Sequence, residues 1–267
     1  MSIFIHKSNI ENKIKNNYNN KRIELQSFYS DVYLETHRFL LEQNYSKDDT
    51  FSSIISKINT YLNELDVFSD KNKINSQSKF RSTFLEELSE YLFKDLEPIK
   101  SGRLGFYNKK IYAGLKIGAD MKVSVIHKDV DFCIGKEVSL NIDGNLETII
   151  MPVVAVEVKT YFDATMFGEV QYSARLIKNA VPNARIYVLM EYNDVAKEKI
   201  IAARHDNSID EMFALRCKGD KNRYNFDFTV LENYYKEIKD AITNLRSETV
   251  NDHGRLLDRK VIMWYEV

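Results

Sequence analysis

The sequence predicts an α/β (α+β) fold, a strand-rich centre between helical flanks, and three observations carry that expectation. Met151 to Thr160 holds a near-continuous apolar run of strand length, as a central strand covered on both faces requires. Thr165 to Ala180 then shows helical spacing and Arg185 to Glu191 is a second apolar strand, so the three segments read as a crossover joining parallel strands. Residues 8–70 and 82–93 place apolar side chains at helical intervals.

Taken in order, Ile23, Leu25, Phe28, Val32, Tyr33, Phe39 and Leu40 recur at roughly helical steps, and Phe51, Ile54, Ile55, Ile58, Tyr61, Leu62 and Leu65 make a cleaner stripe. Polar residues 69–78 interrupt the pattern. They divide the chain into an N-terminal helical subdomain, 1–75, and a second unit, 76–267, with a C-terminal extension. Phe84, Leu85, Leu88, Tyr91 and Leu92 define the core face of the next helix. Met121–Ile126 and Val130–Leu140 read as paired strands with His127-Lys128-Asp129 as their turn, and Gly114 to Gly118 as a turn beside a strand. Asp143-Gly144 is a hairpin signal before the chain returns at Leu146. Val181-Pro182-Asn183 stops the crossover helix. Val195–Ala203 and Val230–Leu245 read as helices and Val261–Val267 as a last strand.

At 267 residues, with 44% hydrophobic and 29% charged side chains, the chain has the composition of a globular protein. A net charge of −1 gives no global basic field, although a local groove can still be positive. Two cysteines, Cys133 and Cys217, cannot build a zinc cluster or a disulfide framework. The opening apolar stretch is too short for a signal peptide and no run approaches the roughly 18 apolar residues of a membrane span. A cytoplasmic protein without a membrane partner is expected. No GxxxxGK[ST] loop occurs, so no nucleotide cofactor is expected.

The central strand carries two charges. Glu157 and Lys159 are two residues apart and share one face of it. Buried charges are costly unless they pair or hold a metal. Val130-Asp131-Phe132-Cys133-Ile134 brings a second carboxylate into an apolar run. Asp131 is preferred over Asp129 because it alternates with Cys133 along the strand. Magnesium takes hard oxygen ligands and keeps several waters, so two carboxylates suffice. Asp131 and Glu157 are therefore candidate Mg²⁺ ligands, with the backbone carbonyl of Val158 as a third. Lys159 is placed to contact a phosphate and to orient or help deprotonate a water, since burial beside a metal pushes a lysine toward neutrality. The acid-x-Lys spacing recurs at Glu11/Lys13, Asp120/Lys122, Glu237/Lys239 and Asp258/Lys260, but in polar or helical settings.

Asp131 followed by Glu157-Val158-Lys159, in a helix, three strands, helix, strand order, resembles the PD-(D/E)xK nucleases and, among them, the type II restriction endonucleases. The resemblance covers residues 80–192; Val130 replaces the proline that gives the motif its name. It implies a mixed central sheet flanked by helices. It also implies Mg²⁺-dependent cleavage of a specific double-stranded DNA sequence, leaving 5′-phosphate and 3′-hydroxyl ends. Many members add a Glu on the helix before the first strand, a position that Glu86 matches, with Glu87 close behind. A homodimer is expected because two-fold sites suit two-fold proteins. The alternatives are a structure-specific or repair nuclease on the same core, and a DNA-binding module without catalysis.

Residues 99–128 are basic, with Lys100, Arg103, Lys109, Lys110, Lys116, Lys122 and Lys128 around Tyr107 and Tyr112. Phosphate contact and a solvated face are both open readings. Arg216, Lys218, Lys221 and Arg223 form a second cluster and Arg255, Arg259 and Lys260 a third.

Overall fold

The computed structural model describes residues 4–45, 47, 50–203, 205–219, 225–243, 246–247 and 263–264. The chain opens with helix α1 (Ile5–Lys15). Next, α2 (Arg22–Phe28) passes through a widened turn at Tyr29–Tyr33 into α3 (Leu34–Glu42). The long α4 (Thr50–Lys71) carries the apolar stripe, with Phe51, Ile54, Ile58, Tyr61, Leu62 and Leu65 buried. α5 (Phe80–Phe93) and the short α6 (Glu97–Lys100) lead to the sheet. β1 (Gly105–Ile117), β2 (Val123–Ile142) and β3 (Asn145–Phe162) follow, then α7 (Ala164–Ala180) and β4 (Arg185–Asn193). α8 (Lys197–Ala203), β5 (Glu211–Ala214) and α9 (Phe228–Thr243) follow, and β6 (Arg246–Ser247) pairs with β7 (Met263–Trp264).

The main sheet has five strands in the order β1-β2-β3-β4-β5. β1, β2 and β3 are antiparallel neighbours, whereas β3, β4 and β5 are parallel. The sheet is therefore mixed, with α7 as the crossover between β3 and β4. Asp163 caps α7, its Oδ1 accepting 2.9 Å bonds from the Thr165 and Met166 amides. One face of the sheet packs Ala155, Cys133 and Ile186 against Ala174 and Ile177 of α7. The other contributes Phe132, Val156, Val158 and Leu189 to a core shared with α4, α5 and α9. That core also takes in Ile10 of α1 and Leu25 of α2, so apolar packing is continuous between the N-terminal helices and the sheet.

Three strand expectations need correction. His127–Asp129 is no turn but lies within β2, a strand of 20 residues. The first strand is residues 105–117, a segment whose lysines mask its alternation, and Gly114 sits inside it at φ +132°. The turn between β1 and β2 falls instead at 118–122. The Asp143-Gly144 turn connects β2 to β3, with both residues at positive φ (51° and 84°), as a two-residue hairpin demands. β5 was not expected, being four residues long. The last strand is described only at Met263–Trp264; the rest of that segment, and Asn244–Leu245, lie outside the described residues.

Candidate active site

Register explains how Asp131 reaches its place. Tyr107 pairs with Cys133 and Lys109 with Val130, so β1 advances by two residues while β2 advances by three. The extra residue is a bulge at Asp131-Phe132, and a bulge re-aims the side chain beside it. The β2–β3 ladder also ends here, at Phe132 opposite Val156. Where β3 parts from β2, the Asp131 side chain takes over as acceptor: its Oδ2 receives the Val158 amide at 2.8 Å. The amide and carbonyl of one strand residue face the same edge, so the Val158 carbonyl faces the same opening. A second bulge, between Ile134 and Gly135, lies deeper in the same ladder. A Cβ on Gly135 would meet the Met151 carbonyl oxygen at 2.5 Å, so only glycine fits there.

Lys159 Nζ donates to Asp131 Oδ2 and to Glu157 Oε2, each at 2.8 Å. The three charged groups thus converge at the splayed end of β2 and β3, half-buried rather than sealed. Burial by itself would depress the Lys159 pKa, but the charges of Asp131 and Glu157 outweigh it and push the pKa up. Without a metal, Lys159 is therefore held as an ammonium by its two carboxylate partners. Burial raises Glu157, with the Lys159 charge opposing and the Asp131 charge reinforcing the rise.

Glu86 extends from α5 toward the same cluster. Its carboxyl is pushed up to about 8, first by burial and then by the Asp131 charge, against the pull of Lys159 and Lys79. Glu87 points elsewhere. It accepts from the Tyr33 and Tyr91 hydroxyls and the Lys7 amide, within the helical layer. Asp129 is exposed, opposite Lys110 on β1. Among the described residues no group of three His, Cys, Asp or Glu side chains is gathered to hold a metal. The donor set at the opening is two carboxylates and a main-chain carbonyl, which suits a cation that keeps most of its waters.

Next to the cluster is a cavity of about 420 Å³, bordered by Lys79, Arg81, Ser82, Thr160 and Tyr161. Asp66 and Arg81 in its wall belong to an ion network that sequence reading missed. Arg81 bonds Asp66 at 2.7 Å and also Glu191, and Glu191 lies 3.8 Å from Arg216. No local pattern reveals it, because its members come from α4, α5, β4 and the chain after β5. Arg216 is thereby committed to Glu191 and to the Tyr192 ring, 4.5 Å away, and Lys218 pairs with Asp194. The Lys218–Asp194 pair is exposed, so Lys218 stays open to solvent; Lys221, Arg223 and the whole third cluster lie outside the described residues.

A mixed five-stranded sheet flanked by helices, with acidic and basic groups converging where two strands part, is the frame of a nuclease of the restriction type. The sequence profile of the Bpu10I restriction endonuclease family matches residues 85–247; the chain belongs to that family and is a type II restriction endonuclease-like protein. A solved chain of the native BbvCI A2B2 tetramer superposes with a TM-score of 0.70 at 22% identity, covering 89% of this chain and 95% of that one. No curated protein matches the sequence.

Proposed function

We propose that this protein hydrolyses phosphodiester bonds in a specific double-stranded DNA sequence, with Mg²⁺ as cofactor, leaving 5′-phosphate and 3′-hydroxyl ends. The observation that carries the reading is the placement of Lys159 Nζ at 2.8 Å from both Asp131 and Glu157, where β2 and β3 separate. Asp131, Glu157 and the Val158 carbonyl would hold the metal, which supplies charge neutralisation and water activation when bound. Lys159, kept cationic by the two carboxylates, contacts the scissile phosphate and orients the attacking water as a donor. Glu86, which feels the charges of Asp131, Lys159 and Glu157, would accept a proton or bond a metal-held water. The Cys133 and Cys217 thiols, both free, fit a cytoplasmic location, and no described helix is long and apolar enough to cross a membrane. The A2B2 assembly named for BbvCI supports action by more than one subunit, and a homodimer would place one site on each strand.

The test is digestion of several sequenced plasmids with Mg²⁺, with fragment ends mapped and particle mass measured by light scattering. Asp131→Ala, Glu157→Ala and Lys159→Ala should each lower cleavage about 100-fold or more while DNA binding in Ca²⁺ persists. Full cutting by any one of them removes that residue from the mechanism. Cutting only at nicks, flaps or ends would replace the restriction reading with that of a structure-specific nuclease.

A further inference from the structure

The paired strands β1 and β2 run beyond the sheet. Residues 132–142 of β2 pair with β3, whereas residues 123–130 pair with β1 alone, and β1 is the edge strand. Lys109–Ile117 and Val123–Val130 thus form a two-stranded ribbon rooted beside Asp131. Near the root, Ile111, Ala113 and Val130 pack on α7. The cover ends at Gly114, where an added Cβ would lie 3.8 Å from Ala180. Past that point Leu115, Ile117 and Met121 are 50%, 67% and 78% exposed. Met121 is held outward at φ +62°, a conformation that costs a non-glycine residue energy. Large apolar side chains grouped at an exposed tip mark an interaction site. Lys109, Lys110, Lys116, Lys122 and Lys128 lie on the ribbon against Asp120 and Asp129 only, so its partner is acidic.

We propose that this ribbon is a DNA-binding arm that lies in the major groove of the duplex beside the cleaved bond; the proposal rests on the nuclease reading above. A two-stranded ribbon matches the major groove in width. From its root at Val130 to its end at Val123 the arm spans roughly 23 Å at about 3.3 Å per residue, or roughly seven base pairs at about 3.4 Å each. Lysines on its rim neutralise phosphates, and Leu115, Ile117 and Met121 contact base edges and thymine methyls. Charge and position favour this occupant, since the arm springs from beside Asp131, whose carboxylate lies 2.8 Å from Lys159, the residue assigned to the scissile phosphate.

The experiment uses the full chain and a duplex carrying its mapped cleavage site, with binding measured in Ca²⁺. Trimming the flank to fewer than about seven base pairs from the cut should weaken wild-type binding about tenfold. The Lys116→Ala/Lys122→Ala variant should lower the salt-dependence slope by about 1.8, at roughly 0.9 per phosphate. Leu115→Ser/Ile117→Ser/Met121→Ser should raise KM and lose protection of guanine N7 about seven base pairs from the cut. Leu146→Ser, a matched exposed apolar change at the β2–β3 turn, should alter neither. If the wild type cuts while the arm variants keep affinity, slope and footprint, the arm is not a DNA contact. A fall in particle mass in the tip variant would make it an interface between copies instead. A wild type that binds duplex with the N7 footprint but cuts nothing would overturn the nuclease reading and leave the arm standing.

Discussion

Helix α5 carries two adjacent carboxylates into different surroundings. Glu87 is 1% exposed and accepts 2.8 Å and 2.5 Å bonds from Tyr33 and Tyr91, besides the Lys7 amide at 2.9 Å. Around it, His6 bonds Thr83 and Tyr61, His37 bonds Tyr91, and Glu90 accepts from the Phe4 amide. Every partner of Glu87 is a neutral hydroxyl or amide, and the network stitches the N-terminal helices to α5. One residue earlier, Glu86 faces Asp131, Glu157 and Lys159, a cluster of full charges at a half-open strand end. A buried carboxylate whose lone pairs are taken by neutral donors is finished as structure. One held among like charges beside a single cation still has capacity for another positive group.

The largest expected effects separate these two regions. Glu87→Ala leaves the Tyr33 and Tyr91 hydroxyls to share His37 Nδ1 and removes the acceptor of the Lys7 amide, a loss of about 2–4 kcal/mol at about 1–3 per buried group left unpaired. Thermal melting should fall by several degrees, with cleavage lost only where the protein unfolds. Glu157→Ala removes a carboxylate that burial already disfavours as an anion, so melting should shift by less than about 1 kcal/mol equivalent while cleavage disappears. Equal destabilisation by both would erase the distinction. Equal loss of cleavage at temperatures where both are folded would do the same.

Protonation sharpens the contrast. Burial, aided by the Lys13 charge, lowers His6 to about 3 from 6.5. Between those values the unfolded chain binds a proton that the folded chain refuses, so the His6 contribution to stability is present above pH 6.5 and declines as pH falls toward 3. Burial raises Glu87 to about 7, which has the opposite sense, with stability declining as pH rises from 4.5 through 7. His6→Gln should therefore melt closer to the wild type at pH 4.5 than at pH 7, as read by thermal denaturation across that range. A gap between the two proteins that stays constant with pH would refute the assignment of the acid limb to His6.

How much of this was legible in the chain depends on how many elements each feature needs. Glu157 and Lys159 share a face by strand periodicity alone, and the apolar run around them distinguishes them from Asp120 and Lys122, an exposed pair 3.6 Å apart in the turn after β1. The crossover β3-α7-β4 was equally plain, each segment being long and bounded by turn residues. β1 was not, because Lys109 and Lys110 interrupt its alternation and Leu115 and Ile117 are apolar yet exposed, so no inside face can be read along its whole length. His127-Lys128-Asp129 looked like a turn since a ribbon free on one face tolerates polar residues in mid-strand. Choosing Glu86 over Glu87 requires the rotation of α5 relative to the sheet, and the Asp66-Arg81-Glu191-Arg216 network requires four segments in place. The catalytic roles assigned to Asp131, Glu157 and Lys159 rest on their convergence and on the experiments proposed above.

Glu86 itself gives the smallest and most discriminating test. With its carboxyl raised to about 8, the metal-free fold binds a proton that the unfolded chain releases from about 4.5 upward. Wild-type stability without metal should therefore decline as pH rises from 4.5 to 8, and Glu86→Gln should flatten part of that decline, measured in EDTA. If Glu86 serves the reaction, Glu86→Gln should also lower cleavage, by about tenfold, because a proton acceptor beside the metal ligands is gone while Asp131, Glu157 and Lys159 stay. The two readouts separate position from use. A flattened pH profile with unchanged cleavage would make Glu86 a neighbour that senses the cluster's charge without joining its chemistry. An unchanged profile would mean that Glu86 does not face the cluster at all, and the contrast with Glu87 would lose its physical basis.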